Sequence, residues 1–195
     1  MLKNNVFKKG LAVLSVFMSV TLLAGCGGKE SESRDIIILY TNDVHGAADS
    51  DIGYAGLASY KEWAMEKTPY VALVDCGDAL QGDTMAAVSE GEYLVELMNR
   101  VGYDYAVLGN HEFDYGMEQL ENLLTLSDAR YLGCNIQYTG DEDTFLSQLA
   151  AYHIASYGDV NVGFIGVSTP ESIVKSTPAY FMDADGQYVY DFCGT

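Results

Sequence analysis

Three short apolar runs in this chain each end in residues that bind divalent metals. Ile36-Ile37-Ile38-Leu39-Tyr40 leads to Asn42-Asp43-Val44-His45, and Tyr70-Val71-Ala72-Leu73-Val74 leads to Asp75-Cys76-Gly77-Asp78. The third, Tyr105-Ala106-Val107-Leu108, leads to Gly109-Asn110-His111-Glu112. Asp43 and Asp78 offer carboxylate oxygens, Asn110 a neutral carbonyl oxygen and His45 an imidazole, with His111 beside them. That donor set suits divalent ions and the hydrolysis they support. Asp43 and His45 hold alternate positions, so on an extended strand end both would point the same way. Asp78 follows Gly77, which permits a sharp turn close to an ion, and a carboxylate there can bridge two ions. Asn110 would complete a second shell without adding charge. Any one of these residues would serve as well as a loop polar group capping a helix. Their order, each after a strand, points to a metal site.

Positions 42, 75 and 108 end the three runs and stand 33 residues apart. One strand, crossover helix and loop take about 30 residues or more. Parallel strands built in this way bring their ends to one edge of a sheet, where open α/β proteins bind ligands. The pattern therefore predicts an α/β fold with strands at 35–42, 70–75 and 104–108 and helices over 53–67, 91–101 and 114–126. The unbroken apolar character of the first strand predicts burial on both faces. Leu57, Tyr60, Ala64 and Met65 mark one helix face, Tyr93, Leu94, Leu97, Met98 and Val101 a second, and Leu120, Leu123 and Leu124 a third. A fourth apolar run covers 130–136. Beyond it, two strand-like runs, 152–156 and 160–167, flank Tyr157-Gly158-Asp159. This is a hairpin pattern, so the sheets are expected to be mixed.

The first 25 residues read as a lipoprotein signal peptide. Lys3, Lys8 and Lys9 precede an apolar run from Leu11 to Leu23, and Leu23-Ala24-Gly25-Cys26 has small residues ahead of a cysteine. The run is shorter than the roughly 20 residues that span a bilayer. Lipidation at Cys26 would leave residues 26–34 as a flexible tether and 35–195 as the folded domain, held on the extracytoplasmic side of a membrane. A net charge of −18 excludes a nucleic-acid polymer as partner, since no basic stripe is available to displace counterions. Of four cysteines, Cys76, Cys134 and Cys193 remain after Cys26, with no disulfide framework or zinc-ribbon spacing. Cys76 is read as a small buried residue at a strand end.

Asn-Asp-x-His, Gly-Asp and Gly-Asn-His-Glu in this order resemble the calcineurin-like metallophosphoesterases. Tyr40-Thr41-Asn42-Asp43-Val44-His45-Gly46, Asp78-Ala79-Leu80-Gln81-Gly82, Gly109 to Gly116 and Gly166-Val167-Ser168-Thr169-Pro170-Glu171 resemble the secreted 5′-nucleotidase/UDP-sugar hydrolase branch. The resemblance covers essentially all of residues 35–195. It implies an α/β/β/α sandwich around two mixed sheets, here C-terminally incomplete. It also implies that Asp43, His45 and Asp78 hold one divalent ion and that Asp78 and Asn110 hold a second. Mn, Zn, Co, Mg and Ca are all compatible with these donors. His111, oriented by Asp114, would form a catalytic dyad that steadies the phosphate and protonates the leaving group. Asp114 would equally suit a helix N-cap. Two such ions, about 3.5–4 Å apart, would activate water for in-line attack on phosphorus.

The implied substrate is a small phosphoester: a nucleoside monophosphate, with UDP-sugars and 2′,3′-cyclic nucleotides as further classes. The family takes more ligands from a later Gly-His and Gly-His-x-His, whereas the only histidines here are His45, His111 and His153. His153 has neither motif and reads as a half-buried strand residue. Tyr54, Tyr93 and Tyr131 read as packing. The last residues, Tyr190 to Thr195, carry no capping element and read as a stop within a continuing domain, so weak or absent turnover is expected of this chain. Two other readings are a non-catalytic surface lipoprotein with a residual metal site and a sulfur-ester hydrolase of the same superfamily. His111 and Asp114 favour catalysis over binding alone, because a binder has no use for a proton donor.

Overall fold

The computed structural model describes residues 35–140 and 144–193. The expected leader over 1–25, the tether over 26–34 and the lipid-bearing Cys26 lie outside the described residues. Among the described residues, no helix is long and apolar enough to cross a membrane.

Four strands form one parallel sheet in chain order: β1 (Ile37–Thr41), β2 (Val71–Asp75), β3 (Tyr105–Val107) and β4 (Arg130–Leu132). Thr41 pairs with Asp75, and Asp75 with Ala106, so the ends of the first three strands lie level at one sheet edge. The regular spacing of the motifs therefore has the structural meaning expected of it. Between the strands run α1 (Gly53–Lys67), the short α2 (Thr84–Ser89), α3 (Glu92–Val101) and α4 (Met117–Leu126). The sequence reading did not anticipate α2, whose six residues are too few to display periodicity. Asp83 sets its start by accepting a hydrogen bond from the Thr84 amide. α3 stops at Gly102, where φ of 79° lets the amide turn back onto the Met98 and Asn99 carbonyls.

Antiparallel pairings make up the rest, so the fold is α/β with mixed pairing. β5 (Ile136–Tyr138) pairs with β8 (Tyr190–Phe192), and β6 (Tyr152–Tyr157) forms the expected hairpin with β7 (Val160–Ile165). The short α5 (Ser172–Lys175) lies between β7 and β8. The core joins Leu73, Leu94, Met98, Leu108, Leu120 and Leu123, all fully buried. Phe113, Phe181 and Phe192 extend it as an aromatic cluster, with ring centroids 4.9–6.0 Å apart. Burying such side chains contributes about 1.5–3 kcal/mol each. This cluster anchors the turn that follows His111 to the last strand.

Several expected faces are corrected. β1 is not buried on both faces: Ile38 and Tyr40 are 47% and 72% exposed, while Leu39, on the opposite face, packs against the core. Tyr60, Met65 and Tyr93 are exposed too. The core-facing positions are Tyr54, Leu57 and Ala64 on α1, and Leu94, Val95 and Met98 on α3. Tyr54 and Tyr131 are packed as expected. Cys76 is exposed rather than buried.

Candidate metal centre

The site is built where the three strands give way to loops. The first loop does not continue as a strand. β1 ends at Thr41, and both Asp43 and His45 take left-handed backbone conformations, with φ of 55° and 50°. Their alternation on an extended strand end is therefore corrected. Backbone bonds to the second loop bring them together instead: Asp43 N–H to Gly77 O, His45 N–H to Asp78 O and Gly46 N–H to Ala79 O, at 2.9–3.1 Å. Non-glycine residues are uncommon in this backbone region, and such strain clusters at functional sites.

The second loop turns at Gly77 as expected. Its φ is 95°, and a Cβ there would stand 2.7 Å from the Gly109 nitrogen. A Cβ on Gly109 would collide with the Asp78 carboxylate. The two glycines thus let the second and third loops touch through bare backbone. Asp78 has φ of 56°, and its Oδ1 accepts a 2.8 Å hydrogen bond from the His111 amide.

One ligand atom each from Asp43, His45 and Asp78 lies within 4.8 Å of the others. A nitrogen and two carboxylate oxygens at this separation fit one divalent ion. His45 Nε2 stands 3.5 Å from Asp43 Oδ1, while its Nδ1 approaches the Gln81 carbonyl at 3.2 Å. That carbonyl fixes the ring as a metal-binding imidazole requires. Asn110 directly precedes His111 at the start of a 3₁₀ turn, His111–Phe113. The His45 and His111 rings meet edge-on, with centroids 4.9 Å apart. A cleft of about 260 Å³ opens beside Asp43, lined by Thr41, Ser50, Asp51 and Tyr54, but His45, Asp78 and His111 are not part of its wall.

His111 Nδ1 lies 2.7 Å from Asp114 Oδ2, and the other Asp114 oxygen accepts from Ser176 Oγ at 3.3 Å. Asp114 closes the 3₁₀ turn, whereas the residue preceding α4 is Gly116, so the helix N-cap reading of Asp114 does not hold. Partial burial works against a charged His111 ring. The Asp114 hydrogen bond and charge, with Asp78 and Glu112 adding to them, still hold its pKa above the usual histidine value.

Two buried acids complete the centre, and the sequence reading assigned neither a role. Asp75, 1% exposed, accepts from Thr41 Oγ1 at 2.8 Å and the Gly77 amide at 3.0 Å. Burial pushes its carboxyl up to about 6 in spite of these bonds. Glu112, also 1% exposed, accepts four backbone N–H groups: Ala79 and Leu80 at Oε1, Asp78 and Gly109 at Oε2. Burial pushes this carboxyl up to about 7 against them. For Asp75, a charge closing the apolar run 71–74 was the available signal; Glu112 stands among polar residues and offered none. Its partners are main-chain amides, which no residue pattern displays. His153 is brought nowhere near this group; it sits in β6 with Nδ1 2.8 Å from Tyr105 Oη.

Residues 36–174 match the calcineurin-like phosphoesterase family. The 5′-nucleotidase of Bos taurus is 34% identical over 74% of this chain and 28% of its own length. Among solved structures, the NAD nucleotidase of Haemophilus influenzae is 22% identical with a TM-score of 0.68, covering 80% of this chain and 29% of that one. The calcineurin-like phosphoesterase YfkN of Bacillus subtilis is 25% identical with a TM-score of 0.62, covering 80% and 53%. The chain spans under a third of the length of the curated relatives it matches.

Proposed function

The chain belongs to the calcineurin-like phosphoesterase family, and from that premise we propose that it is the metal-binding part of a 5′-nucleotidase acting on nucleoside monophosphates. UDP-sugars and 2′,3′-cyclic nucleotides are further substrates of the proposal. The observation that carries it is the convergence of Asp43, His45 and Asp78 beside a carboxylate-paired histidine. Asp43, His45 and Asp78 would hold one divalent ion, and Asp78 with Asn110 would hold a second. Bound there, the ions supply Lewis-acid stabilisation of the phosphoryl group and a nucleophilic water at neutral pH. Asp114 keeps His111 Nδ1 occupied, which leaves Nε2 to donate a proton to the departing ester oxygen. The carboxylate partner makes the ring basic enough to carry that proton near neutral pH. The His111 amide bonded to one Asp78 oxygen at 2.8 Å supports the reading of Asp78 as a fixed carboxylate shared by the two ions.

Asp78 and Asn110 alone are few donors for the second ion, so turnover by this chain is expected to be slow. Lipidation at Cys26, after removal of residues 1–25, would tether the domain through 26–34 to the outer side of a membrane. Intact mass tests this part: an unmodified N-terminus without a lipid adduct refutes it. The catalytic part is tested with AMP and manganese. Phosphate release should rise with manganese into the millimolar range. Manganese binding with no release from AMP or any other phosphoester would leave a metal site without catalysis.

A further inference from the structure

Glu112 is the most completely satisfied side chain near the metal centre, yet it is not one of the three residues whose ligand atoms converge there. It is 1% exposed, and its Oε1 accepts from the amides of Ala79 at 2.8 Å and Leu80 at 3.2 Å. Its Oε2 accepts from Asp78 at 2.9 Å and Gly109 at 2.7 Å. Three of the four donors belong to the turn that carries Asp78, and the fourth belongs to the turn that leads to Asn110 and His111. Successive amides that converge in a left-handed turn form an anion-binding concavity. Asp78, at φ of 56°, supplies that turn. Glu112 fills the concavity with an anion from its own chain.

We infer that Glu112 is a positioning residue: its carboxylate ties the Asp78 turn to the Gly109 turn and so presets the Asp78 carboxylate for metal. This rests on the proposed metal site. The two turns are close because Gly77 and Gly109 lack side chains, but closeness alone leaves four converging amides, two of them buried, without acceptors. Only a carboxylate answers all four. A carboxamide has one acceptor oxygen and one NH2 donor. In either orientation Glu112→Gln sets that donor against two amide donors, Ala79 with Leu80 or Asp78 with Gly109. The Asp78 backbone must then shift, and its carboxylate shifts with it. Glu112→Asp keeps both oxygens and withdraws them by one methylene.

The test is calorimetric titration of the purified full chain with manganese alone. Groups that orient a ligand typically contribute about 10–100-fold to metal affinity, and Glu112→Gln should lose that much. Glu112→Asp should recover part of the loss. Leu123→Ala, a cavity in the core away from the loops, should destabilise the fold and leave the affinity unchanged. Equal losses in Leu123→Ala and Glu112→Gln would make the role merely structural and overturn the inference. So would wild-type affinity in Glu112→Gln. No manganese binding by the wild type would instead overturn the metal reading itself. Should Glu112→Gln fail to fold, hydrogen exchange on the wild type decides. The amides of Asp78, Ala79, Leu80 and Gly109 should be protected as one group, and exchange at the rate of exposed loop amides refutes the clamp.

Discussion

His111 and His153 are held alike and placed differently. Each ring is fixed through Nδ1, at 2.7 Å from the Asp114 carboxylate and at 2.8 Å from the Tyr105 phenol. Around His111 gather Asp114, Asp78 and Glu112, a concentration of carboxylates that calls for cations. Around His153 gather aromatic rings: Tyr105 stacks on Phe164 at 4.2 Å, and Tyr70 meets Tyr157 edge-on. A carboxylate partner stabilises a protonated imidazole, whereas a phenol contributes a neutral hydrogen bond. The hairpin also turns an apolar face outward, with Tyr152, Ile154 and Ile165 each more than half exposed. The comparison teaches that a histidine's function is set by the charge of what holds it, and that geometry alone does not distinguish the two.

The largest expected effect separates these two histidines directly. In a chain extended to supply the family's later Gly-His and Gly-His-x-His ligands, His111→Ala should lower AMP hydrolysis by about 10²–10⁴-fold, the range of a general acid or base, with manganese content unchanged. His153→Ala should leave both intact. The loss should be smaller with p-nitrophenyl phosphate, whose leaving group needs no proton. A loss of metal that explains the whole rate defect would make His111 a ligand and collapse the contrast.

Asp78→Asn comes next. It should weaken manganese binding by more than the roughly 10–100-fold expected for an orienting group, as titration calorimetry would record. An affinity equal to wild type would remove Asp78 from the centre.

Asp75 sharpens the electrostatic side of the comparison. Burial holds its carboxyl at about 6 in the fold against an ordinary value of 3.8. Both states are protonated below pH 3.8, so burial of the acid costs nothing there. The cost grows as pH rises and is complete above about 6. Asp75→Asn keeps an acceptor for Gly77 and should therefore gain about 2 kcal/mol of stability relative to wild type between pH 4 and pH 7. Chelator-treated protein unfolded by urea at both pH values would show it. A mutant-to-wild-type difference independent of pH would show that the acid is not strained by burial.

The smallest effect falls on the hairpin. Tyr105→Phe removes the His153 hydrogen bond while preserving the stack on Phe164, and should cost about 1 kcal/mol in urea unfolding. Any change in manganese affinity would mean that the two regions are coupled.

The same contrast governs what could be read in advance. The hairpin was legible because strand alternation and a short glycine-bearing connection are local patterns; the structure shortens the expected 157–159 connection by pairing Tyr157 with Val160, and Gly158 takes the turn at φ of 65°. The donors at the sheet edge were legible from residue type and from the repeat that sets the strands in register. Their backbone was not, since Asp43 and His45 take left-handed conformations that only contact with the second loop imposes. Asp75 and Glu112 escaped for a related reason: their partners are a hydroxyl and main-chain amides, most of them over thirty residues away. The faces of β1 and α3 were misjudged at Tyr40 and Tyr93, because an aromatic residue at core spacing says nothing about whether a neighbour covers it.

Strand order in the parallel sheet follows chain order, and this bears on how the molecule assembles. Each strand, as it leaves the ribosome, finds its neighbour already made, and no contact must wait for a distant segment to thread between two others. Each pairing must still close a crossover, with 34 residues between Thr41 and Asp75, and non-local pairing of this kind is slow. The β6–β7 hairpin closes over a turn between Tyr157 and Val160 and needs no such closure. In pulse-labelled refolding, the amides in β6 and β7 should accordingly gain protection ahead of those of Asp43 and His45.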